Sequence, residues 1–129
     1  MLSGINEFGR LKRVAMRRPA DAFVDDAKID KEWQNLNYHT RPDFKKAVAE
    51  HQRFAEIIKG VGAEILYLPS DKKLTMDSLY VRDAAAVCPK GVILANMGKK
   101  QREGEPPVHG HFFEEADIPQ SYFDLVVAT

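Results

Sequence analysis

The stretch PDFKKAVAEHQRFAEIIKGVGAEILYL, residues 42–68, predicts a helix followed by a strand. Pro42 suits the first helical position, and Gly60 with Gly62 supplies a stop near residue 59. Residues 63–68 form an apolar run that ends at Pro69, as a strand would. One face of the predicted helix carries residues spaced by three and four, as in a helix that packs on a sheet: Phe44, Ala47, Val48, His51, Phe54, Ala55 and Ile58.

The chain on both sides of this stretch continues the alternation of strands and helices. Before it, residues 11–17 predict a strand, and residues 18–40 look irregular, with a helical turn near 29–36. After it we expect a short buried strand at 77–83, a hairpin of 84–87 with 92–95, a helix at 107–116 and a strand at 122–128. This order predicts an α/β (α+β) layered sheet, and 129 residues suit a single domain, 1–129.

Composition excludes several classes of function. Lys plus Arg equal Asp plus Glu at 19 each, so no basic field is available for nucleic acid. No run approaches the length of a membrane span, and the first residues do not form a signal pattern. Cys88 is the one cysteine, which is compatible with a reducing, cytoplasmic location. The glycines match no dinucleotide or phosphate-loop spacing, and no cofactor is expected.

The candidate binding residues lie between 77 and 102. Asp83 stands between Arg82 and an apolar run, where a carboxylate is costly to bury without a partner. It either caps a turn or pairs with Arg82, or it binds a cation while Asp77 or Tyr80 holds another part of the ligand. A guanidinium would suit such a carboxylate. Arg102 is either part of a solvated charged loop or a clamp on an anionic group.

The remaining chemically capable residues favour structural roles. His51 lies on the apolar helix face and is expected to be a satisfied, half-buried histidine. His109 and His111 would not share a helix face, and no acid or cysteine completes a zinc spacing, so no metal is expected. Cys88 precedes a Pro-Lys-Gly turn with no evident base nearby, so it reads as structural.

Three segments resemble the N-terminal half of the guanidine-modifying enzymes, namely dimethylargininases, arginine deiminases and glycine amidinotransferases. Residues 8–19 resemble the first strand and loop of that family, and residues 49–69 its first helix and next strand. The third and most specific segment runs from Asp77 to Asp83 and continues through Met97 to Arg102-Glu103-Gly104-Glu105. Together the resemblance covers roughly residues 7–118.

The resemblance implies a pentein fold, a five-bladed α/β propeller of ββαβ units, of which this chain would form about two blades. It also implies that Asp83 binds a substrate guanidinium, that Asp77 and Tyr80 line the pocket and that Arg102 holds the substrate carboxylate. The loop 18–40 would contribute to the mouth of the site. The ligand would be an arginine-like small molecule.

The catalytic cysteine and histidine of the family lie in its C-terminal half, and after Ile118-Pro119 this chain departs from the family pattern. The first hypothesis is therefore a substrate-binding half, inactive alone, with no catalytic residue of its own. The second is an oligomeric interaction or guanidinium-binding module, most simply a homodimer. The third is an enzyme completed in trans by a second chain. An unrelated α/β binding domain stays open as well.

Overall fold

The computed structural model describes residues 8–127, with the backbone alone for residues 120–127. Two compact units make up the chain, one of Leu11–Leu79 and one that begins at Tyr80. Strands and helices alternate in both units, which confirms the mixed α/β class. In the part of the chain that the structure describes, no helix has the length and apolar character needed to cross a membrane.

The first unit pairs two parallel strands, β1 (Arg13–Met16) and β2 (Glu64–Tyr67). Val14 lies opposite Ile65 in this register. Parallel neighbours cannot be joined by a tight turn, so the chain crosses over between them. Three helices form this crossover: α1 (Pro19–Ala22), α2 (Asp26–Glu32) and α3 (Phe44–Gly60).

The predicted long helix is confirmed as α3, with a correction at its start. Asp43 is the N-cap, and its carboxylate accepts a hydrogen bond from the Lys46 backbone N–H at 2.9 Å. Pro42 therefore lies before the helix and not at its first position. The helix buries Ala55 and Ile58, which belong to the apolar face predicted from the sequence. The prediction that Phe54 belongs to the same face is wrong, because Phe54 is 51% exposed.

The expectation of a mostly irregular segment over 18–40 is wrong, because α1 and α2 occupy much of it. Pro19 opens α1, where a missing N–H costs nothing. The Asp25 carboxylate caps α2 by accepting from the Lys28 backbone N–H at 2.8 Å. These short helices persist because they carry the core of the first unit, whose fully buried members are Ala22, Phe23, Ile29, Leu36 and Met76.

The expected strand over Asp77–Asp83 is also wrong. The chain forms two 3-10 helices there, Met76–Leu79 and Val81–Ala84. The backbone N–H of Ser78 donates to Thr75 at 3.0 Å, and that of Asp83 donates to Tyr80 at 3.1 Å. Short polar side chains compete with a strand ladder for backbone groups, which favours such tight turns.

The second unit has the element order ββαβ. Its members are β3 (Ala85–Cys88), β4 (Gly91–Met97), α4 (Glu105–Glu115) and β5 (Gln120–Val127). β3 and β4 form the predicted antiparallel hairpin, and β5 confirms the predicted tail strand by pairing parallel with β4. The helix α4 starts at Glu105, two positions before the predicted start at 107. Across the described residues, both sheets are open.

Gly91 is the residue at which the hairpin and β5 meet. It pairs with Cys88 and has a φ of +134°, a conformation that side chains strongly disfavour. A Cβ at this position would stand 2.2 Å from the carbonyl oxygen of Pro119. The same oxygen accepts a hydrogen bond from the Val92 backbone N–H at 2.8 Å, and moving it away from the added Cβ would break that bond.

We expect Gly91→Ala to lower the free energy of unfolding by at least about 2 kcal/mol, since it adds both a disfavoured φ and a backbone clash. Urea unfolding followed by circular dichroism measures this change. Gly60→Ala is the matched control, because nothing lies within 4 Å of its Cβ position. It should be neutral or stabilising by up to about 1 kcal/mol. Equal effects of the two substitutions would contradict the role assigned to Gly91.

Candidate functional site

A buried ion pair between Arg102 and Glu105 forms the base of the candidate site in the second unit. Arg102 Nε donates to Glu105 Oε2 at 2.7 Å, and Nη2 donates to Oε1 at 2.8 Å. The two side chains are 4% and 0% exposed. Arg102 ends a short 3-10 helix and Glu105 begins α4, so a three-residue spacing places both groups together. This two-point contact fixes the plane of the guanidinium.

The fixed guanidinium holds the segment that carries Asp83. Arg102 Nη1 donates to Asp83 Oδ2 at 2.6 Å, and Nη2 donates to the backbone carbonyl of Tyr80 at 3.2 Å. The Asp83 side chain is nevertheless 41% exposed. Tyr80 beside it is half exposed. Arg102 thus orients the Asp83 side chain, while the Asp83 carboxylate stays exposed enough to contact a ligand.

The charges of this cluster favour a cation. Burial by itself would lower the pKa of Arg102, but the hydrogen bonds that it donates to Glu105 and Asp83 outweigh burial and raise that pKa above its ordinary value. The guanidinium is therefore always charged. One guanidinium against the two carboxylates of Glu105 and Asp83 leaves an excess of one negative charge. That excess suits a cationic ligand at the exposed carboxylate.

Asp77, the remaining predicted site residue, lies in the first unit. It is 5% exposed and belongs to the 3-10 helix Met76–Leu79. The buried Arg17 at the end of β1 anchors this helix, since its Nη1 donates to the Ser78 carbonyl at 2.7 Å. At the helix start, the Met76 backbone N–H donates to Glu32 Oε2 of α2 at 2.9 Å. The position of Asp77 is therefore set by contacts from two elements.

Sequence reasoning missed Glu105 and Arg17 as supports of the site. The signal for Glu105 was its three-residue spacing from Arg102 within Arg-Glu-Gly-Glu, which can place both side chains on one side of a helical turn. Arg17 had no local signal, because its partner Ser78 is 61 residues away in the chain. Only the tertiary fold brings those two together.

Three histidines lie in the surroundings that the sequence predicted, namely His51, His109 and His111. His51 is half-buried and satisfied, with Nε2 3.3 Å from the Tyr67 hydroxyl. His109 is fully buried and packs edge-on against Phe113, whereas His111 is exposed, so the two do not share a face. Cys88 is a free thiol at the end of β3. Among the side chains that the structure describes, no group of three or more His, Cys, Asp or Glu residues could hold a metal ion.

The chain is similar to known proteins in both sequence and structure. No protein-family profile matches the chain. It is 25% identical over 97 residues to the N(G),N(G)-dimethylarginine dimethylaminohydrolase of Pseudomonas aeruginosa. A crystal structure of that enzyme, a cysteine-to-serine mutant with citrulline, matches with a TM-score of 0.66 over 90% of this chain at 20% identity. The chain is thus similar in sequence and in fold to dimethylarginine dimethylaminohydrolases.

Other structures of dimethylarginine dimethylaminohydrolase agree with this relationship. One is an adduct with 4-chloro-2-hydroxymethylpyridine, with a TM-score of 0.65, 22% identity and 88% of this chain covered. Another is an adduct with S-methyl-L-thiocitrulline, with a TM-score of 0.66, 21% identity and the same coverage. The described fold therefore matches part of the fold of these enzymes.

The chain spans only part of the superfamily members that it matches. The aligned region amounts to 75% of this chain but 35% of the Pseudomonas relative. The solved structures are covered to between 41% and 43% of their length. The likeness thus extends to the fold of this part, and it leaves more than half of each relative without a counterpart here.

We expect Glu105→Gln to lower the free energy of unfolding by about 3 kcal/mol, because it leaves the buried Arg102 guanidinium without its bidentate partner charge. Urea unfolding measures the change. Glu103→Gln makes the same chemical change on an exposed residue two positions away and should shift stability by at most about 0.5 kcal/mol. If both variants unfold at the same urea concentration, the Arg102–Glu105 pair does not carry the stability of this unit.

Proposed function

We propose that this chain provides the guanidinium-binding part of a guanidine-modifying site, and that it does not convert a guanidine substrate on its own. The observation that carries the proposal is Asp83. Its carboxylate is oriented by Arg102, remains 41% exposed, and belongs to a cluster with one negative charge in excess. An exposed, pre-oriented carboxylate pairs well with a planar guanidinium.

The proposed ligand is an arginine-like molecule. Asp83 binds its guanidinium, and Asp77 and Tyr80 line the pocket. Relatives of known structure have been crystallised with citrulline or as an adduct with S-methyl-L-thiocitrulline, molecules of the same shape. The proposed frame is about two ββαβ blades of a five-bladed ring, and the ββαβ order of the second unit supports it.

Arg102 is proposed to hold the carboxylate end of the ligand. Its Nε and Nη atoms already donate to Glu105, Asp83 and the Tyr80 carbonyl. A ligand carboxylate would therefore have to share a donor that Asp83 uses. The geometry supports a second task for Arg102 more directly, which is to position Asp83.

The proposed lack of turnover rests on the fact that no residue of this chain is assigned the role of the nucleophile. The sequence contains one cysteine, Cys88, which ends β3 and pairs with Gly91 across the hairpin turn. The superfamily resemblance places the catalytic cysteine and histidine in the C-terminal half, so it assigns no such role to Cys88. Orientation of a guanidinium without a nucleophile does not break its carbon–nitrogen bonds.

We expect L-arginine to bind the purified chain and Asp83→Asn to weaken this binding by at least about tenfold, since one charge-assisted contact is lost. Calorimetric titration measures the affinity. Asp117→Asn is the matched control: it makes the same change on an exposed residue with a φ of +57°, which asparagine tolerates well, and it should leave binding unchanged.

The remaining arms of this experiment separate binding from catalysis. Citrulline, which replaces the guanidinium by a neutral group, should bind more weakly than arginine. Incubation with arginine, methylated arginines or agmatine should release no citrulline-type product, as followed by mass spectrometry. Turnover by the pure chain would overturn the proposed inactivity, and equal affinity of the Asp83→Asn variant would overturn the proposed role of Asp83.

Self-association is a second candidate function, and the outer face of α3 favours it. Phe54, Ile57 and Val61 recur there at helical spacing and are 51%, 65% and 53% exposed. Glu50 and Arg53 lie among them with opposite charges, so an antiparallel second copy could place each beside the other. The expected homodimer stays a prediction until its mass is measured.

We expect light scattering to give a dimer mass for the chain and a monomer mass for Ile57→Glu, because the substitution places a charge in the apolar stripe. Lys72→Glu, on an exposed loop residue, changes the charge in the same direction and should remain dimeric. A monomer mass for the unmodified chain at high concentration would exclude this interface.

A further inference from the structure

A cavity of about 330 Å³ in the first unit lies apart from the residues assigned to guanidinium binding. Its wall combines the chain before and at the start of α1, one side of α3 and the end of β2. All of its lining residues belong to the unit Leu11–Leu79. Its volume is close to the lower limit for pockets that hold small molecules.

Arg18 is the anion-binding group that this cavity presents. Its Cζ atom stands 3.6 Å from the centre of the Tyr67 ring, so the face of the guanidinium stacks on the aromatic face. The N–H donors lie in the guanidinium plane and are not used by this stacking. The ion pair of Arg18 with Asp21 is long at 3.5 Å, and the Arg18 side chain is 50% exposed. A stacked, weakly paired guanidinium is pre-organised for a carboxylate or a phosphate.

His51 stiffens this arrangement without adding a charge. Its Nε2 atom is 3.3 Å from the Tyr67 hydroxyl, and its ring tilts against the Tyr67 ring. Burial lowers the pKa of His51, and the positive charge of Arg18 lowers it further, which keeps the imidazole neutral near pH 7. His51 therefore fixes the tyrosine on which Arg18 stacks, while Arg18 carries the charge.

The rest of the wall selects for an anion that has an apolar part. Lys59 adds a second cation and Glu56 adds one carboxylate, so together with Arg18 the charges of the lining residues sum to one positive charge; Asp21, which pairs with Arg18, is not a lining residue. Val48 and Ala55 supply an apolar surface on the α3 side. A bare inorganic anion would leave that surface in contact with water, whereas a small organic anion would cover it.

We propose that this cavity is a second ligand site, one that binds a small organic carboxylate through Arg18 with its apolar body against α3. The proposal goes beyond guanidinium binding, because the ligand has the opposite charge and every contact comes from other residues. The guanidinium that is proposed to bind Asp83 would be repelled by Arg18.

Benzoate tests this site, with benzamide as its neutral counterpart of the same shape. We expect saturable benzoate binding by nuclear magnetic resonance titration and at least about tenfold weaker binding of benzamide. Arg18→Met keeps much of the stem that stacks on Tyr67 but removes the charge, and it should weaken benzoate by a similar factor. Arg53→Met is the matched control, since Arg53 is an exposed cation of α3 outside the cavity, and it should leave the affinity unchanged.

Four results would overturn the proposal: no saturable benzoate binding, equal binding of benzamide, inorganic phosphate binding as tightly as benzoate, or an equal loss in Arg18→Met and Arg53→Met. Circular dichroism of each variant verifies that the fold is retained. If Arg18→Met does not fold, Lys59→Met removes the other positive charge of the cavity wall. A several-fold loss of benzoate affinity in Lys59→Met would then support the site. An unchanged affinity there would count against it.

Discussion

The candidate site depends on one buried cation, the guanidinium of Arg102. Removing such a group from water is expensive, and the bidentate contact with Glu105 compensates for much of that cost. The same guanidinium then has donors left for Asp83 and for the Tyr80 carbonyl. Arg102 therefore joins the start of α4 to the 3-10 helix that precedes β3. The exposed carboxylate of Asp83 is oriented by this buried side chain.

A buried arginine also holds a backbone carbonyl in the first unit. The buried Arg17 donates to the carbonyl of Ser78, just as Arg102 donates to that of Tyr80. The chain from Met76 to Ala84 passes from one unit to the next as two 3-10 helices, which bond less favourably than an α-helix. In each unit a buried arginine bonds to a backbone carbonyl of this segment. These contacts explain why a weak local conformation persists at the candidate site.

The likeness to dimethylarginine dimethylaminohydrolases is a statement about fold. A fold can host different chemistry, so function has to be argued from the groups that meet the ligand. The groups proposed for this role are acidic around Asp83 and basic around Arg18, in different units of the chain. The chain aligns with 35% of its Pseudomonas relative, so the chemistry of the whole enzyme need not accompany the part that binds.

The periodic elements could be predicted from the residues alone. Apolar spacing located α3 and β2, continuous apolar arms around Pro89-Lys90 located the hairpin, and the final apolar run located β5. These signals are local and strong, because each repeats a buried position every two or every three to four residues. The resemblance pointed to Asp83 and Arg102 through motif spacing in the same local way.

The tertiary structure decided the rest, because the deciding contacts join residues that are far apart in the chain or too few to make a pattern. α1 and α2 are short, and they persist by burying Phe23 and Ile29 in a core that Met76 completes. The segment Asp77–Asp83 became two 3-10 helices and not a strand, held by Arg17 and Arg102. Such contacts leave no periodic pattern in the sequence. The sequence therefore indicated which residue types are present at the candidate site, and the tertiary structure determined which groups support them.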